Sequence, residues 1–182
     1  MLNNRYMPIY DLNDINFLKH DIENNLKTID TIYVLKFKKG GNEHHPRIVV
    51  SNESHWTSPA FQNVFNDLIP IVKSLLKDMY AVLENLFKAR TGTFDKTGLE
   101  SKYLYLKELR QINNKFKHYL DSGPEINVTS MALMEPDGNH VDVFCNFSYK
   151  DGNFVIIRLA EFIDVYLGIL EDQKIISIHR ET

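Results

Sequence analysis

The chain has 182 residues, of which 43% are hydrophobic and 12% aromatic, and its formal net charge is -3. This length and composition fit a single domain spanning 1–182 with a packed core, and the acidic balance argues against a chain devoted to wrapping a polyanion. The only cysteine, Cys145, cannot form an intrachain disulfide. No apolar run approaches the ~20 residues of a membrane span, and the N-terminus lacks the apolar run of a signal peptide. We therefore expect a cytoplasmic protein with no membrane partner.

The N-terminal part, 1–55, is predicted to contain a helix and a β-hairpin. An extended arm over 1–12 precedes a helix capped by Asn13 or Asp14, with apolar residues at helical spacing as far as about Lys27. The segments 32–37 and 47–50 are rich in β-branched residues, and the intervening Gly40 and Gly41 indicate a turn. Glu43, His44 and His45 lie between those strands. With the more distant His140 they could ligate a metal, but the spacing favours a solvated loop, so no metal and no cofactor are predicted.

The middle part, 57–123, is predicted to be a long helical hairpin. Ser58 followed by Pro59 is a strong helix start, and Gly92 supplies a C-cap. The apolar stripe between them has the steps of four and three typical of a helix packed lengthwise against a partner. Its members are Phe61, Phe65, Leu68, Val72, Leu75, Met79, Val82 and Leu86. Pro70 within the stripe predicts either a kink or two consecutive helices.

The second arm of the hairpin is predicted over 106–120. Thr97 and Glu100 form a capping-box pattern that would open it, and Gly123 before Pro124 would close it. A short connection between two long helices favours antiparallel packing.

In the C-terminal part, 125–182, apolar residues first recur at every second position, as in a strand, and then at helical spacing. Strands over 126–133, 141–147 and 154–157, separated by turns, predict an antiparallel β-meander. Cys145 is expected to be a core residue rather than a nucleophile. A last helix follows, and the segment 175–178 is either a closing strand or a tail that packs on a neighbour. The predicted fold class is therefore α+β, with a helical hairpin, a β-meander and an N-terminal β-hairpin.

The strongest functional candidate is a polar ridge on the second arm of the hairpin. Arg110, Asn114 and His118 are spaced by four, and each such step turns the helix by only ~40° beyond a full turn. A histidine held by an amide and flanked by cations can move a proton while the cations bind a phosphodiester. The cations available are Arg110 and three lysines, Lys107, Lys115 and Lys117. The alternative is a solvated helix face with His118 favoured at its C-terminal end by the helix dipole.

The segment 108–119 resembles the signature helix of the HEPN superfamily. Members of that superfamily are all-helical domains, many of them ribonucleases, in toxin–antitoxin, abortive-infection and other anti-phage systems. Their motif is Arg, a polar residue that is often Asn, three variable residues and His. Asn114 and His118 match the Asn-x-x-x-His part, and Lys117 before His118 matches an ending common in several branches. Asn113 stands where the family has its arginine, and Arg110 lies one turn earlier.

The resemblance implies a homodimer in which two such helices form one composite site. In that site His118 is the general acid or base, Asn114 orients it, and Arg110 and Lys117 bind phosphate, with Lys107, Lys115 and Asn113 as further RNA contacts. An asparagine cannot supply the missing positive charge. The resemblance therefore implies two alternatives, an active metal-independent endoribonuclease and an inactive descendant that binds RNA. The alternative from another class is a non-enzymatic α+β module for dimerisation or protein interaction. RNA and a cognate protein are the two partners to consider besides a second copy.

Overall fold

The computed structural model describes residues 6–8, 14–34, 48–49, 59–118, 123–135 and 138–178. Within them the fold is α+β, as predicted, with helices and an antiparallel sheet around a shared core. Among the described helices, none combines the length and apolar character needed to cross a bilayer.

The N-terminal helix is longer than the sequence pattern indicated. A 3-10 turn over Asn16–Leu18 leads into α1, Lys19–Val34, and the turn has no side-chain cap. The predicted cap at Asn13 or Asp14 and the predicted end near Lys27 are therefore both wrong. Three apolar side chains of the helix, Ile22, Leu26 and Ile29, are buried, so packing rather than a cap stabilises it.

The predicted N-terminal β-hairpin lies largely outside the described residues. Of its first strand, the described part up to Val34 is helical and belongs to α1. Strand β2, Ile48–Val49, is extended as predicted, but it pairs antiparallel with the strand Gly138–Ser148. The residues from Ile32 to Val34 thus continue a helix, although β-branched residues favour strands.

The long first arm is a single helix, α2, Pro59–Thr91. It begins at Pro59, as predicted, and ends at Gly92, whose φ of +71° is the left-handed conformation expected of a glycine C-cap. Pro70 lies inside the helix without dividing it, so the interpretation as two consecutive helices is wrong. The exposure of Pro70 places its missing backbone bond on the solvent side.

The second arm is divided into two helices. Helix α3, Lys96–Lys102, has no buried residue, and helix α4, Leu106–His118, carries the polar ridge. The carboxylate of Asp95 caps α3 by accepting the backbone N–H of Gly98 at 3.0 Å, so the predicted capping box at Thr97 is wrong. Tyr105, with φ of +64°, separates the two helices.

The sheet is the predicted meander, with strands β3, Glu125–Glu135, β4, Gly138–Ser148, and β5, Phe154–Arg158. Strand β4 is central, because β3 pairs along one side of it and β2 and β5 pair along the other. The odd-numbered residues of β4 face the helices as predicted, and Val143, Cys145 and Phe147 are buried. The turn at Gly152, φ +86°, joins β4 to β5.

The C-terminal helix α5, Leu159–Asp172, covers the sheet, and Phe162 packs against Phe147 with ring centroids 6.4 Å apart. The segment after α5 is a strand, β6, Ile176–Ile178, and it pairs antiparallel with β1, Tyr6–Pro8. The closing-strand interpretation is therefore confirmed, and the two ends of the described chain are joined by this short sheet. A contiguous apolar core links α1, α2, α4, α5 and the inner face of the sheet.

Candidate functional site

Helix α4 packs against α2 through one apolar side and leaves its polar ridge on the other. Leu106, Leu109 and Ile112 are buried and Phe116 is half-buried, which confirms the predicted amphipathic face. The two helices are antiparallel, because Arg110 lies near Tyr80 of α2 whereas Phe116 lies near the earlier residue Lys73. The C-terminal turn of α4 therefore lies beside the N-terminal half of α2.

Arg110 is engaged within the chain. Its Nε atom donates to Glu100 Oε1 at 2.5 Å and its second guanidinium contact reaches Glu100 Oε2 at 3.4 Å. The two side chains are only 20% and 17% exposed, so α3 covers the charged end of this arginine with a carboxylate. The hydrogen bond to Glu100 raises the pKa of Arg110, which keeps the guanidinium charged.

Tyr80 belongs to the same cluster. Burial raises the pKa of the Tyr80 phenol, and the nearby Glu84 carboxylate raises it further. The phenol is therefore neutral at physiological pH and is not a base. Tyr80, Arg110 and Glu100 therefore form a part-buried cluster between α2, α3 and the N-terminal half of α4, in which one carboxylate neutralises the arginine.

Asn113, which stands where the family motif has arginine, is 3% exposed. Its Oδ1 atom has no hydrogen-bond partner among the described residues. Because the side chain is buried in the single chain, the predicted RNA contact of Asn113 would require the helix packing to open. The neighbouring Asn114 is half-exposed and stays on the ridge.

The three predicted lysines of α4 keep access to solvent. Lys107 and Lys117 are exposed and Lys115 is half-exposed. A fourth lysine joins them from α2, since Lys73 Nζ lies 5.6 Å from the centroid of the Phe116 ring. The sequence carries no signal for Lys73 at this site, because only the antiparallel packing of α2 and α4 brings it to this end of α4.

A polar contact holds the other side of α4 to the sheet. The Tyr149 hydroxyl, in the β4–β5 turn, donates to Gln111 Oε1 at 3.0 Å. Burial raises the pKa of Tyr149, and the Glu108 carboxylate adds to this effect. This hydrogen bond restrains rotation of α4 about its axis, and with it the direction of the lysine side, the polar half of α4 that carries Lys107, Lys115 and Lys117.

Of the predicted catalytic residues, the structure brings Arg110 and Asn114 onto one side of α4. His118 is the last residue of α4, and its side chain lies outside the described residues. Glu100 was missed as a site residue because its spacing from Thr97 suggested a helix cap. The signal that could have found it is its opposite charge to Arg110 across a short connection.

Two further features of the chain bear on its chemistry, the lone cysteine and the distribution of metal-ligating side chains. Burial raises the pKa of the Cys145 thiol to about 12, so Cys145 is an inert core residue as expected. In the described part of the chain, no group of three or more His, Cys, Asp or Glu side chains could hold a metal ion. The loop with His44 and His45 lies outside that part.

Comparison with protein-family models, with curated proteins and with solved structures returned no significant match to this chain.

Proposed function

We propose that this chain is an RNA-binding, HEPN-like protein of a defence or mobile-element system, and that it binds RNA without cleaving it. The observation that carries the proposal is the lysine side of α4, where Lys107 and Lys117 are exposed and Lys115 is half-exposed. This local positive charge stands out against a chain whose net charge is -3. Lysines along one helix suit the phosphate backbone of a nucleic acid, which dominates non-specific affinity.

The ion pair between Arg110 and Glu100 favours binding without cleavage. A phosphodiester enzyme needs a cation at the scissile phosphate, where negative charge develops in the transition state. Arg110 already holds the Glu100 carboxylate, and the position of the family arginine is occupied by the buried Asn113. Lysines remain for binding, but the described residues offer no free arginine beside Asn114 and the end of α4.

The first experiment incubates the protein with total RNA in EDTA, alongside His118→Ala, and follows both retention and cleavage. We expect both proteins to retain RNA and neither to cleave it. Cleavage by the wild-type chain that disappears in His118→Ala would instead establish a metal-independent nuclease with His118 as its acid or base. Cleavage that persists in His118→Ala would remove that residue from the mechanism.

A second experiment tests the surface itself by comparing Lys107→Ala/Lys117→Ala with the wild-type chain in an RNA-binding titration. Log affinity falls as log salt rises. Loss of two phosphate contacts on a single strand should make this dependence shallower, reducing the magnitude of the slope by ~1.4. An unchanged slope would show that RNA binds elsewhere or not at all.

We further propose that two chains pair with their α4 helices facing each other, so that the lysine sides form one composite surface. Light scattering measures the mass in solution, and a cysteine placed at Lys107 in a Cys145→Ala background should cross-link two chains. A monomer at all concentrations would limit the RNA surface to a single α4.

The second candidate is a non-enzymatic interaction module, and the outer face of β5 favours it. Phe154 is 57% exposed and Ile156 is 53% exposed, and within the described residues β5 pairs on one side only. Exposed apolar residues on an edge strand are typical of protein interfaces. The double change Phe154→Lys/Ile156→Lys should abolish self-association if this face is the interface, and it should leave RNA binding unchanged.

A further inference from the structure

Helix α3 lies in a segment without buried residues that runs between two aromatic anchors. Phe94 packs against Tyr80 with ring centroids 6.1 Å apart, and Tyr105 packs against Phe162 at 6.4 Å. No residue of the segment 95–104, which we call the α3 flap, is buried. Because local opening is easiest where few apolar contacts are lost, the flap can lift from the core while its two anchored ends stay in place.

The far side of the flap is attached to the end of α5 by surface contacts. The Tyr103 hydroxyl donates to Asp172 Oδ2 at 2.7 Å, and Lys102 Nζ lies 3.1 Å from the same oxygen. The side chains of Lys102 and Asp172 are 60% and 47% exposed, and an ion pair in water stabilises a structure only slightly. Besides this attachment and the half-buried Leu99, the flap depends on one further contact, with α4.

That contact covers a cation that RNA could use. A guanidinium binds a carboxylate and a phosphate through the same pair of N–H groups, and Arg110 directs two of its nitrogens to the two oxygens of Glu100. A phosphate cannot take this place while Glu100 remains, because the two anions repel at contact distance. Around α4, Arg110 lies ~60° from Lys107 and ~20° from Lys117, which puts it between two lysines of the lysine side.

We propose that the α3 flap is an autoinhibitory latch, in which Glu100 occupies the phosphate-binding side of Arg110 until a phosphate of RNA replaces it. This inference deepens the proposed function and rests on it. RNA gains the contact with Arg110 only when the flap is open, so its affinity rises with the open fraction. By linkage, bound RNA increases the open fraction in return.

The test loosens the flap at Asp172, away from Arg110. Asp172→Asn removes the charge paired with Lys102 but keeps an oxygen that can accept from the Tyr103 hydroxyl. Hydrogen exchange at the amides of Leu99 and Tyr103, which are hydrogen-bonded within the flap, measures opening. Loss of an exposed ion pair should raise both this exchange rate and the RNA affinity by up to about fivefold. RNA added to the wild-type chain should also accelerate exchange in the flap.

Asp78→Asn is the matched control, because Asp78 has the same kinds of partner outside the flap. It pairs with Lys77 on α2, accepts a hydrogen bond from the Ser74 hydroxyl at 3.1 Å, and its side chain is 46% exposed. The variant changes the net charge as Asp172→Asn does, and it should leave flap exchange and RNA affinity unchanged. Equal effects of the two variants would assign them to net charge and overturn the latch.

Arg110→Gln shows whether the flap acts through the arginine. Glutamine keeps a donor for Glu100 but carries no positive charge for a phosphate. In this background Asp172→Asn should still accelerate flap exchange but should no longer tighten RNA binding. A gain in RNA affinity that persists would show that opening exposes some other contact, and would remove Arg110 from the latch.

The outcomes distinguish the latch from the proposed function. If Lys107→Ala/Lys117→Ala weakens RNA binding while Asp172→Asn opens the flap without tightening it, the latch is overturned and RNA binding by α4 stands. If the wild-type chain binds no RNA, the proposed function fails, and the latch is judged by flap exchange in inorganic phosphate and in chloride at equal ionic strength. Faster exchange in phosphate that is lost in Arg110→Gln would support the latch alone, and equal exchange in the two salts would overturn it.

Discussion

At the scale of single residues, the partner of Arg110 determines what the polar ridge can do. A guanidinium that lies between two helices and contacts both oxygens of one carboxylate is neutralised and held in place. Of the ridge predicted from the spacing of Arg110, Asn114 and His118, the first two side chains are described, and both lie on one side of α4. Its first member, however, serves the packing of α3 on α4.

Glu100→Gln should therefore release Arg110. Loss of a charge-assisted hydrogen bond between side chains that are about four-fifths buried should lower the free energy of unfolding by about 1–2 kcal/mol. Freeing one cation should also tighten RNA binding, by about fivefold at 0.1 M salt. Chemical denaturation and an RNA titration measure the two effects.

The matched control is Glu84→Gln, which removes the same charge from an exposed pair with Lys88. It should change the unfolding free energy by less than about 0.5 kcal/mol. An equal gain in RNA affinity for both variants would mean that overall charge, and not the release of Arg110, is responsible.

Cys145 allows a prediction about pH. Burial raises the pKa of its thiol to about 12, so the folded chain keeps the proton where the unfolded chain, with a pKa near ~8.5, loses it. The stabilisation is complete below ~8.5 and is lost as pH rises, by at most ~1.4 kcal/mol per pH unit. We expect the free energy of unfolding to fall between about pH 8.5 and 10, with a shallower fall in Cys145→Ala.

The same burial predicts that a thiol reagent at neutral pH reacts with Cys145 only after unfolding. The reaction is followed in buffer and in denaturant. Rapid labelling of the native chain would contradict the buried position of this residue.

At the scale of secondary-structure elements, the C-terminal end of α5 carries a removable strain. Lys174 has φ of +58°, and two hydrogen bonds close the helix end there, from Lys174 N to Glu171 O at 2.8 Å and from Ile175 N to Leu170 O at 2.9 Å. This is the helix ending in which glycine is favoured, because a side chain is strained at positive φ.

Lys174→Gly should raise the free energy of unfolding by roughly 0.5–1 kcal/mol, since the exposed lysine side chain contributes little and glycine adopts this conformation readily. Thermal unfolding measures the change. Lys174→Ala is the control, because it removes the same side chain without relieving φ. A gain of the same size in Lys174→Ala would assign the effect to charge rather than to the backbone.

At the scale of the whole molecule, a buried polar pair joins the first described helix to the last. Asn25 Nδ2 of α1 donates to the Tyr166 hydroxyl of α5 at 3.2 Å, and both side chains lie in the core. Burial raises the pKa of Tyr166, so the phenol stays protonated. Together with the pairing of β1 and β6, this contact ties the N-terminal part to the rest of the fold.

Tyr166→Phe should lower the free energy of unfolding by about 1–3 kcal/mol, because it leaves the buried amide of Asn25 without this acceptor. Asn25→Leu/Tyr166→Phe removes both polar groups and should recover part of the loss. A double-mutant cycle measured by denaturant unfolding gives the coupling free energy between the two side chains. If the losses in unfolding free energy are additive, the hydrogen bond contributes nothing to stability.

The sequence alone determined the elements whose periodicity is long and whose ends are marked. The start of α2 at Pro59, its end at Gly92, the apolar side of α4 and the three-stranded meander all follow from local chemistry. Where local preference is weak, the prediction failed, as it did for the residues from Ile32 that continue α1.

Only the tertiary structure decided which charges meet. The pairing of Arg110 with Glu100, the burial of Asn113 and the approach of Lys73 to Phe116 depend on how α2, α3 and α4 pack. The helical repeat determines which residues of one helix share a face, because that pattern depends only on residues a few positions apart in the sequence. It does not fix which residue of another helix lies opposite that face, because this depends on the packing of the whole core.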